Sequence, residues 1–117
     1  MTEITIYRRE NVVCYDAAGS IRDTRANEAL LLPSRRIIRP TKYYHNCVHI
    51  EDDVVAIKYY LSNRGVPYIR IYQLKPFKEV ASFIGNISPF AVRAILEKLG
   101  LSNDDISFAM VWLGLED

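Results

Sequence analysis

Residues 54–72, VVAIKYYLSNRGVPYIRIY, contain two adjacent segments on which the fold class depends. In the first segment, apolar residues recur at the spacing of one helix face, at Val54, Ile57 and Leu61. Asp52 or Asp53 precedes this segment as a helix N-cap, and Gly65 follows it as a residue suited to a left-handed stop. The pattern therefore predicts a helix that contains Val54, Ile57 and Leu61 and stops at Gly65.

The second segment, residues 68–72, alternates in a way that predicts a β-strand, with Pro67 at its first position or on an edge. Further strands are predicted over residues 3–9, 12–15 and 43–50. The first two of these can form a hairpin. A short helix is predicted over residues 24–32, because Pro33 ends it, and no strand is predicted after residue 72.

The C-terminal part contains three segments bounded by residues that commonly begin or end helices. These segments are residues 76–84, 88–99 and 102 onward. Within the last segment, residues 106–115 are apolar on all sides. Such a run is typical of a buried helix and also of a central strand, and we prefer the helix.

These elements predict an α+β fold in which a small, mostly antiparallel sheet packs against helices and the chain ends in three helices. Residues 1–117 are expected to form a single domain. Residues 1–74 would be its strand-rich part with two helices, and residues 75–117 a helical part that shares the same core. The predicted core of the helical part comprises Phe83, Ile84, Val92, Ile95, Leu99, Phe108 and Trp112.

Composition indicates an ordinary globular protein. Half of the 117 residues are apolar or aromatic, a quarter are charged, and the formal net charge is +1. No stretch is long and apolar enough for a membrane span, and no signal peptide is evident, so a cytoplasmic location without membrane partners is expected. The two cysteines, Cys14 and Cys47, are expected to be free thiols.

Residues 79–96 resemble a helix-turn-helix, with Ala81 as the small residue that faces the second helix and Gly85 in the turn. That resemblance implies a DNA-recognition helix after the turn. Residues 87–96 also resemble a helix-hairpin-helix, which implies backbone contacts to phosphate. A plain helical hairpin without either function remains the preferred interpretation.

Basic and aromatic residues are interleaved in two regions, comprising Arg35, Arg36, Arg39, Lys42, Tyr43 and Tyr44 in one and Tyr68, Arg70 and Tyr72 in the other. This combination is typical of surfaces that bind single-stranded nucleic acid. It is equally typical of protein interfaces, where tyrosine and arginine are enriched at hot spots. A solvated basic strand without a partner is the preferred interpretation of these residues, ahead of either kind of binding.

The sequence therefore favours a small non-catalytic binding or regulatory protein. The first hypothesis is nucleic-acid binding through the basic residues just named together with Arg93. The alternative is a protein-binding module, such as an inhibitor, an immunity-type protein or an accessory factor. It would act through its tyrosines or an apolar C-terminal surface, and a homodimer is possible.

If residues 43–51 form a strand, then His45, Cys47, His49 and Glu51 share one face. Two neighbours of this row could bind a metal ion, but a ligand from elsewhere in the chain would be required. An exposed polar strand is the preferred interpretation, and no cofactor is expected. No catalytic constellation is evident in the sequence, so an enzyme is not favoured.

Overall fold

The computed structural model describes residues 4–9, 12–17, 27–39, 45–49, 52–62 and 64–117. The strands are β1 (Ile4–Arg9), β2 (Val12–Ala17), β3 (Asn27–Leu32), β4 (Arg36–Ile38), β5 (His45–His49), β6 (Val55–Leu61), β7 (Pro67–Leu74) and β8 (Phe77–Ile84). The helices of the described residues are α1 (Pro89–Lys98) and α2 (Asn103–Trp112). The α+β class predicted from the sequence is confirmed.

Two antiparallel sheets form the β-structure. The larger sheet has five strands in the order β4-β3-β6-β7-β8, and the smaller has three in the order β1-β2-β5. On one face of the five-stranded sheet, Leu30 and Ile57 pack against helix residues that include Leu96 and Met110. On the other face, Ile6 of β1 packs into a second apolar cluster. The five-stranded sheet is therefore covered on both faces.

Residues 54–61 were predicted to form a helix, and this prediction is wrong because residues 55–61 form strand β6. This strand lies between β3 and β7, and the residues 55–58 are all buried, including Lys58 at 2% exposure. A strand buried on both faces carries a nearly continuous apolar run rather than a period-two alternation. Without that alternation, the spacing from Val54 to Leu61 resembled a helical one.

The helix predicted over residues 76–84 is also wrong, because residues 77–84 form strand β8. Ile71 pairs with Ala81 while Tyr72 pairs with Glu79, so Val80 is the extra residue of a β-bulge. The bulge changes the face on which later residues lie, which turned a strand pattern into one that resembled helical spacing. The C-terminal part therefore contains two helices within the described residues, not three.

Strand β3 replaces the helix predicted over residues 24–32, of which residues 24–26 lie outside the described part. Leu30, Leu31 and Leu32 are fully buried, and they divide between the two apolar clusters on either side of the sheet. Of the predicted core residues, Val92 is buried and Ile84 is not, since its exposed fraction is 59%. The remaining five are partly buried against the helix-side cluster.

Several local predictions are confirmed. β1 and β2 pair as an antiparallel hairpin, β5 covers most of the strand predicted over residues 43–50, and β7 begins at Pro67. β7 lies between two neighbours, so it is not an edge strand. The apolar segment 106–115 is helical as far as Trp112. None of the helices among the described residues has the length and apolarity required to span a membrane.

Candidate functional site

An open groove of about 610 Å³ lies between helix α2 and the turn that joins β3 to β4. Its lining residues are Arg35, Asp104, Ser107, Phe108, Val111 and Trp112. Five of these six belong to α2 and recur at intervals of three or four residues, which places them along one side of the helix. The groove is therefore formed by one helix side and one turn residue.

The local sequence explains why this side of α2 remains open. The Ser102 hydroxyl accepts a hydrogen bond from the Asp105 amide at 3.1 Å and so begins the helix. Ile106 and Ala109 are buried against the sheet, whereas Ser107 is exposed. The helix is thus anchored by its inner face, and its other side is available to form the groove.

Val111 is the most exposed apolar residue of the groove, with an exposed fraction of 51%. Phe108 and Trp112 flank it and are half-buried. The Trp112 ring makes an edge contact with Tyr59 of β6, with centroids 6.4 Å apart and planes inclined at 69°. This contact holds one aromatic wall against the sheet and fixes the shape of the groove.

Arg35 forms the opposite side of the groove and has a left-handed backbone, with a φ of 63°. Its Nε donates to the Asp105 carboxylate at 3.1 Å. Its guanidinium carbon lies 4.9 Å from the centroid of the Phe108 ring, in a cation–π arrangement. Arg35 therefore joins the turn to α2, and Asp105 compensates its charge.

The turn that carries Arg35 is itself held by a buried carboxylate. Asp53 is 2% exposed and accepts hydrogen bonds from the Ser34 amide at 2.7 Å and the Ser34 hydroxyl at 2.8 Å. Asp53 therefore holds the turn. The sequence had predicted instead that Asp52 or Asp53 caps a helix. The same hydroxyl accepts a hydrogen bond from the Arg36 amide. These bonds position Arg35 beside α2.

The rim of the groove carries an exposed acid. Asp104 lies in the first turn of α2 and has no ion pair among the described residues. Because Asp105 is paired with Arg35, Asp104 is the rim carboxylate for which the described residues provide no ion pair. The groove therefore combines apolar walls with a negative edge.

The basic residues predicted from the sequence occupy different parts of the molecule. Arg35 lines the groove, while Arg39 forms an ion pair with Glu28 at 3.0 Å. Arg36 is exposed on β4. Arg93 lies on α1 and pairs with the carboxylate of Glu116. Two further candidates, Lys42 and Tyr43, lie outside the described residues, as does Tyr44.

The three candidates of β7 lie on the face of the sheet opposite the helices. Tyr68 stacks on Tyr60 with centroids 4.6 Å apart, and Tyr72, which is 7% exposed, stacks on Phe77. Arg70 contacts the Tyr60 hydroxyl and the Glu79 carboxylate, each at 3.4 Å. The structure does not bring these residues together with Arg35 or Arg93.

The resemblance to a helix-turn-helix is not sustained by the fold. Its first helix falls on strand β8, so a strand and not a helix precedes the Gly85 turn. The same strand removes the first helix of the helix-hairpin-helix resemblance. Only the second helix of either motif is present, as α1, which begins with the Ser88 hydroxyl accepting from the Ala91 amide.

The predicted metal row falls on β5, with Glu51 outside the described residues. Among the residues whose side chains the structure describes, no group of three or more histidine, cysteine or acidic residues is placed to hold a metal ion. Comparison of the chain with protein families, with curated proteins and with solved structures finds no match.

Sequence reasoning missed the groove because Phe108 and Trp112 were assigned to the core. The signal that could have revealed it is the stripe formed by Asp104, Ser107 and Val111, which places two polar residues beside an apolar one on the same helix side. The sequence could not show which residue of the chain lies across the groove from α2. Arg35 lies 70 residues away from the carboxylate that it contacts.

Proposed function

We propose that this chain is a non-catalytic protein-binding module and that the groove beside α2 receives an apolar segment of its partner. The observation that carries the proposal is an apolar groove of about 610 Å³ whose lining includes the half-exposed Val111. Exposed apolar surface bordered by polar residues is characteristic of interaction sites. The volume is sufficient for a few side chains rather than for a whole helix face.

The charge of the rim indicates the chemistry of the partner. Asp104, which has no ion pair within the described part of the chain, offers its carboxylate beside the aromatic walls of Phe108 and Trp112. A lysine or arginine can lay its apolar stem on such a wall while its charged end pairs with the acid. We therefore expect the partner segment to present an apolar residue with a basic residue close to it.

The pairing of the arginines supports a protein partner over nucleic acid. Arg35, Arg39, Arg70 and Arg93 each contact a carboxylate. A phosphate contact would have to compete with these acids, so the electrostatic gain on binding nucleic acid would be reduced. Protein binding through an apolar groove depends much less on free positive charge.

The expected affinity is modest. Each apolar side chain that becomes buried contributes about 1.5 to 3 kcal/mol, and the loss of rotational and translational freedom opposes association. Two or three such side chains with one rim ion pair give a gross gain of about 3 to 10 kcal/mol, and the cost of association reduces this to a dissociation constant weaker than about micromolar. A transient regulatory contact fits this range.

The test is capture of partners from lysate of the source cells by three immobilised proteins: the unchanged chain, Val111→Asp and Ile84→Asp. Ile84 is a matched control, because it is 59% exposed and lies on β8, away from the groove. A protein that is captured by the unchanged chain and by Ile84→Asp but not by Val111→Asp supports the proposal. Circular dichroism establishes that both variants are folded.

Nuclease treatment and a salt series separate the competing hypothesis. We expect the Val111-dependent complex to survive nuclease and to weaken only slightly as salt rises. Binding that disappears with nuclease, or that falls steeply with salt in all three proteins, would instead favour the nucleic-acid hypothesis. Equal loss of capture with both aspartate variants would contradict a role for the groove.

A further inference from the structure

The groove beside α2 carries charges of both signs. Asp104 lies on its rim and has no ion pair anywhere in the ranges that the structure describes. Arg35 lies on the other side, and its side chain is 41% exposed. A guanidinium has five N–H donors, and the bond from Nε to Asp105 uses one of them. The groove therefore offers both an acid that can accept and a cation that can still donate.

The same surface also supplies an exposed apolar side chain. Val111 is 51% exposed and lies one helical turn beyond Ser107 on the groove side of α2. A partner that fits the groove should present an apolar residue with a basic residue close to it. This surface presents that combination itself, because Val111 and Arg35 line the same groove. The surface is therefore complementary to a copy of itself.

We propose that the partner received by the groove is a second copy of this chain, in a two-fold symmetric dimer. This inference rests on the proposed function, because it names the occupant of the same groove. In a two-fold interface, each contact between two different residues occurs twice. Val111 of each copy enters the groove of the other, and Asp104 of each copy pairs with Arg35 of the other.

The dimensions of α2 permit both contacts. Asp104 and Val111 are seven residues apart, which is about 10.5 Å along the helix, and Ser107 lies between them. Arg35 lies to one side of the helix, with its guanidinium over Phe108. If the two-fold axis passes beside Ser107 and the two helices cross at a steep angle, the arginine of each copy lies over the acid of the other.

Symmetry favours a second copy over a partner that offers a single segment. The dimer contains the ion pair and the buried valine twice, whereas a single segment makes each contact once. A two-fold contact also closes on itself, so that both grooves are filled and assembly stops at two copies. A weak individual contact is therefore used twice in one complex.

The primary test is the oligomeric state of the purified, unchanged chain, measured by sedimentation velocity from about 10 µM to about 1 mM. This range covers complexes of the modest affinity expected for the groove. We expect a monomer at the low end and, at the high end, a dimer with twice the chain mass of 13.5 kDa. A chain that stays monomeric throughout, or that assembles beyond two copies, would overturn the proposal.

Charge reversal then locates the interface. Asp104→Arg should weaken dimerisation at least about tenfold, because each of the two ion pairs becomes a repulsion. Arg35→Asp should have the same effect, since two acids then face each other. An equimolar mixture of the two variants should recover the dimer, because every arginine again faces an acid. A mixture of folded variants that stays monomeric would contradict the pairing.

Glu97→Arg is the matched control for Asp104→Arg. Glu97 is an exposed acid of α1 and is not among the residues that line the groove. It should dimerise like the unchanged chain. Arg35→Asp also loses the bond to Asp105, so circular dichroism must establish that it folds. If it does not fold, Asp104→Arg and Val111→Asp decide the question, because both should weaken dimerisation and Glu97→Arg should not.

Failure of the dimer can be told apart from failure of the proposed function. If the purified chain stays monomeric while a different protein is captured from lysate through Val111, the dimer is refuted and the proposed function stands. If the chain does not dimerise and nothing is captured through Val111, both are refuted. Dimerisation that Val111→Asp leaves unchanged refutes a dimer through the groove, whatever the lysate contains.

Discussion

Replacement of Arg35 tests how the turn between β3 and β4 is joined to α2. The Arg35 side chain is 41% exposed and that of Asp105 is 13% exposed, so solvent screening limits their ion pair to about 0.5 to 1 kcal/mol. The cation–π contact with Phe108 adds roughly 0.5 to 1 kcal/mol. We therefore expect Arg35→Ala to lower the free energy of unfolding by about 1 to 2 kcal/mol.

Arg35→Gly separates the side-chain contribution from the backbone contribution. At a φ of 63°, alanine retains a steric penalty of about 1 to 2 kcal/mol that glycine avoids, while glycine gains about 0.4 to 1 kcal/mol of entropy on unfolding. Arg35→Gly should therefore be at least as stable as Arg35→Ala, by a margin of up to about 1.6 kcal/mol.

Urea unfolding of the two variants, followed by circular dichroism, measures these free energies. Trp112 is the only tryptophan of the chain and lines the groove, so its fluorescence reports on the same region. Unfolding of Arg35→Ala at the same urea concentration as the unchanged chain would contradict a stabilising role for the Arg35 side chain. A lower stability of Arg35→Gly than of Arg35→Ala would contradict the left-handed backbone at this position.

Three further changes test the fold by urea or thermal unfolding. Asp53→Ala should lower the free energy of unfolding by about 2 to 3 kcal/mol, because it leaves the Ser34 amide and hydroxyl without their acceptor. Ser34→Ala should lower it by only about 1 kcal/mol, and equal losses in the two variants would contradict this difference. Leu96→Ala, at a fully buried position, should lower the free energy of unfolding by about 2 to 5 kcal/mol. Phe90→Ala, at 86% exposure, should lower it by less than about 0.5 kcal/mol, and a larger loss would contradict the exposed position of Phe90. Deletion of Val80 should leave unfolding cooperative, because every other residue of β8 keeps its partner on β7 when the extra residue is removed; loss of cooperative unfolding would refute the bulge assignment.

Local signals in the sequence were sufficient for part of the fold. The serine caps at Ser88 and Ser102 mark the two helices, because a side-chain oxygen before a helix satisfies an amide that the helix leaves unpaired. The alternation in β1 and β7 marks strands, since each has residues of different character on its two faces. Such signals act over a few residues and need no knowledge of the partner strands.

The misassigned elements have a different physical origin. β3 and β6 are buried on both faces, so the selection for apolar residues acts on every position and erases the strand period. In β8, the extra residue Val80 shifts the period in the middle of the strand. Both effects arise from the tertiary arrangement, so a window of sequence could not reveal them.

The groove was less predictable than the fold for the same reason. It requires Arg35 to meet the first turn of α2, and Arg35 lies 70 residues before the carboxylate that it contacts. The sequence predicted a row of His45, Cys47, His49 and Glu51 that would need a remote ligand to bind a metal ion. That row stays a prediction, because its side chains are not among those that the structure describes.

Photo-crosslinking from single positions tests the proposed function most directly. A benzophenone amino acid is placed either at Val111, in the groove, or at Ile84, on β8, and the labelled protein is irradiated in nuclease-treated lysate of the source cells. Our account predicts a discrete crosslinked protein from position 111 and none of that mass from position 84. Crosslinks of equal yield from both positions, or none from position 111, would contradict it.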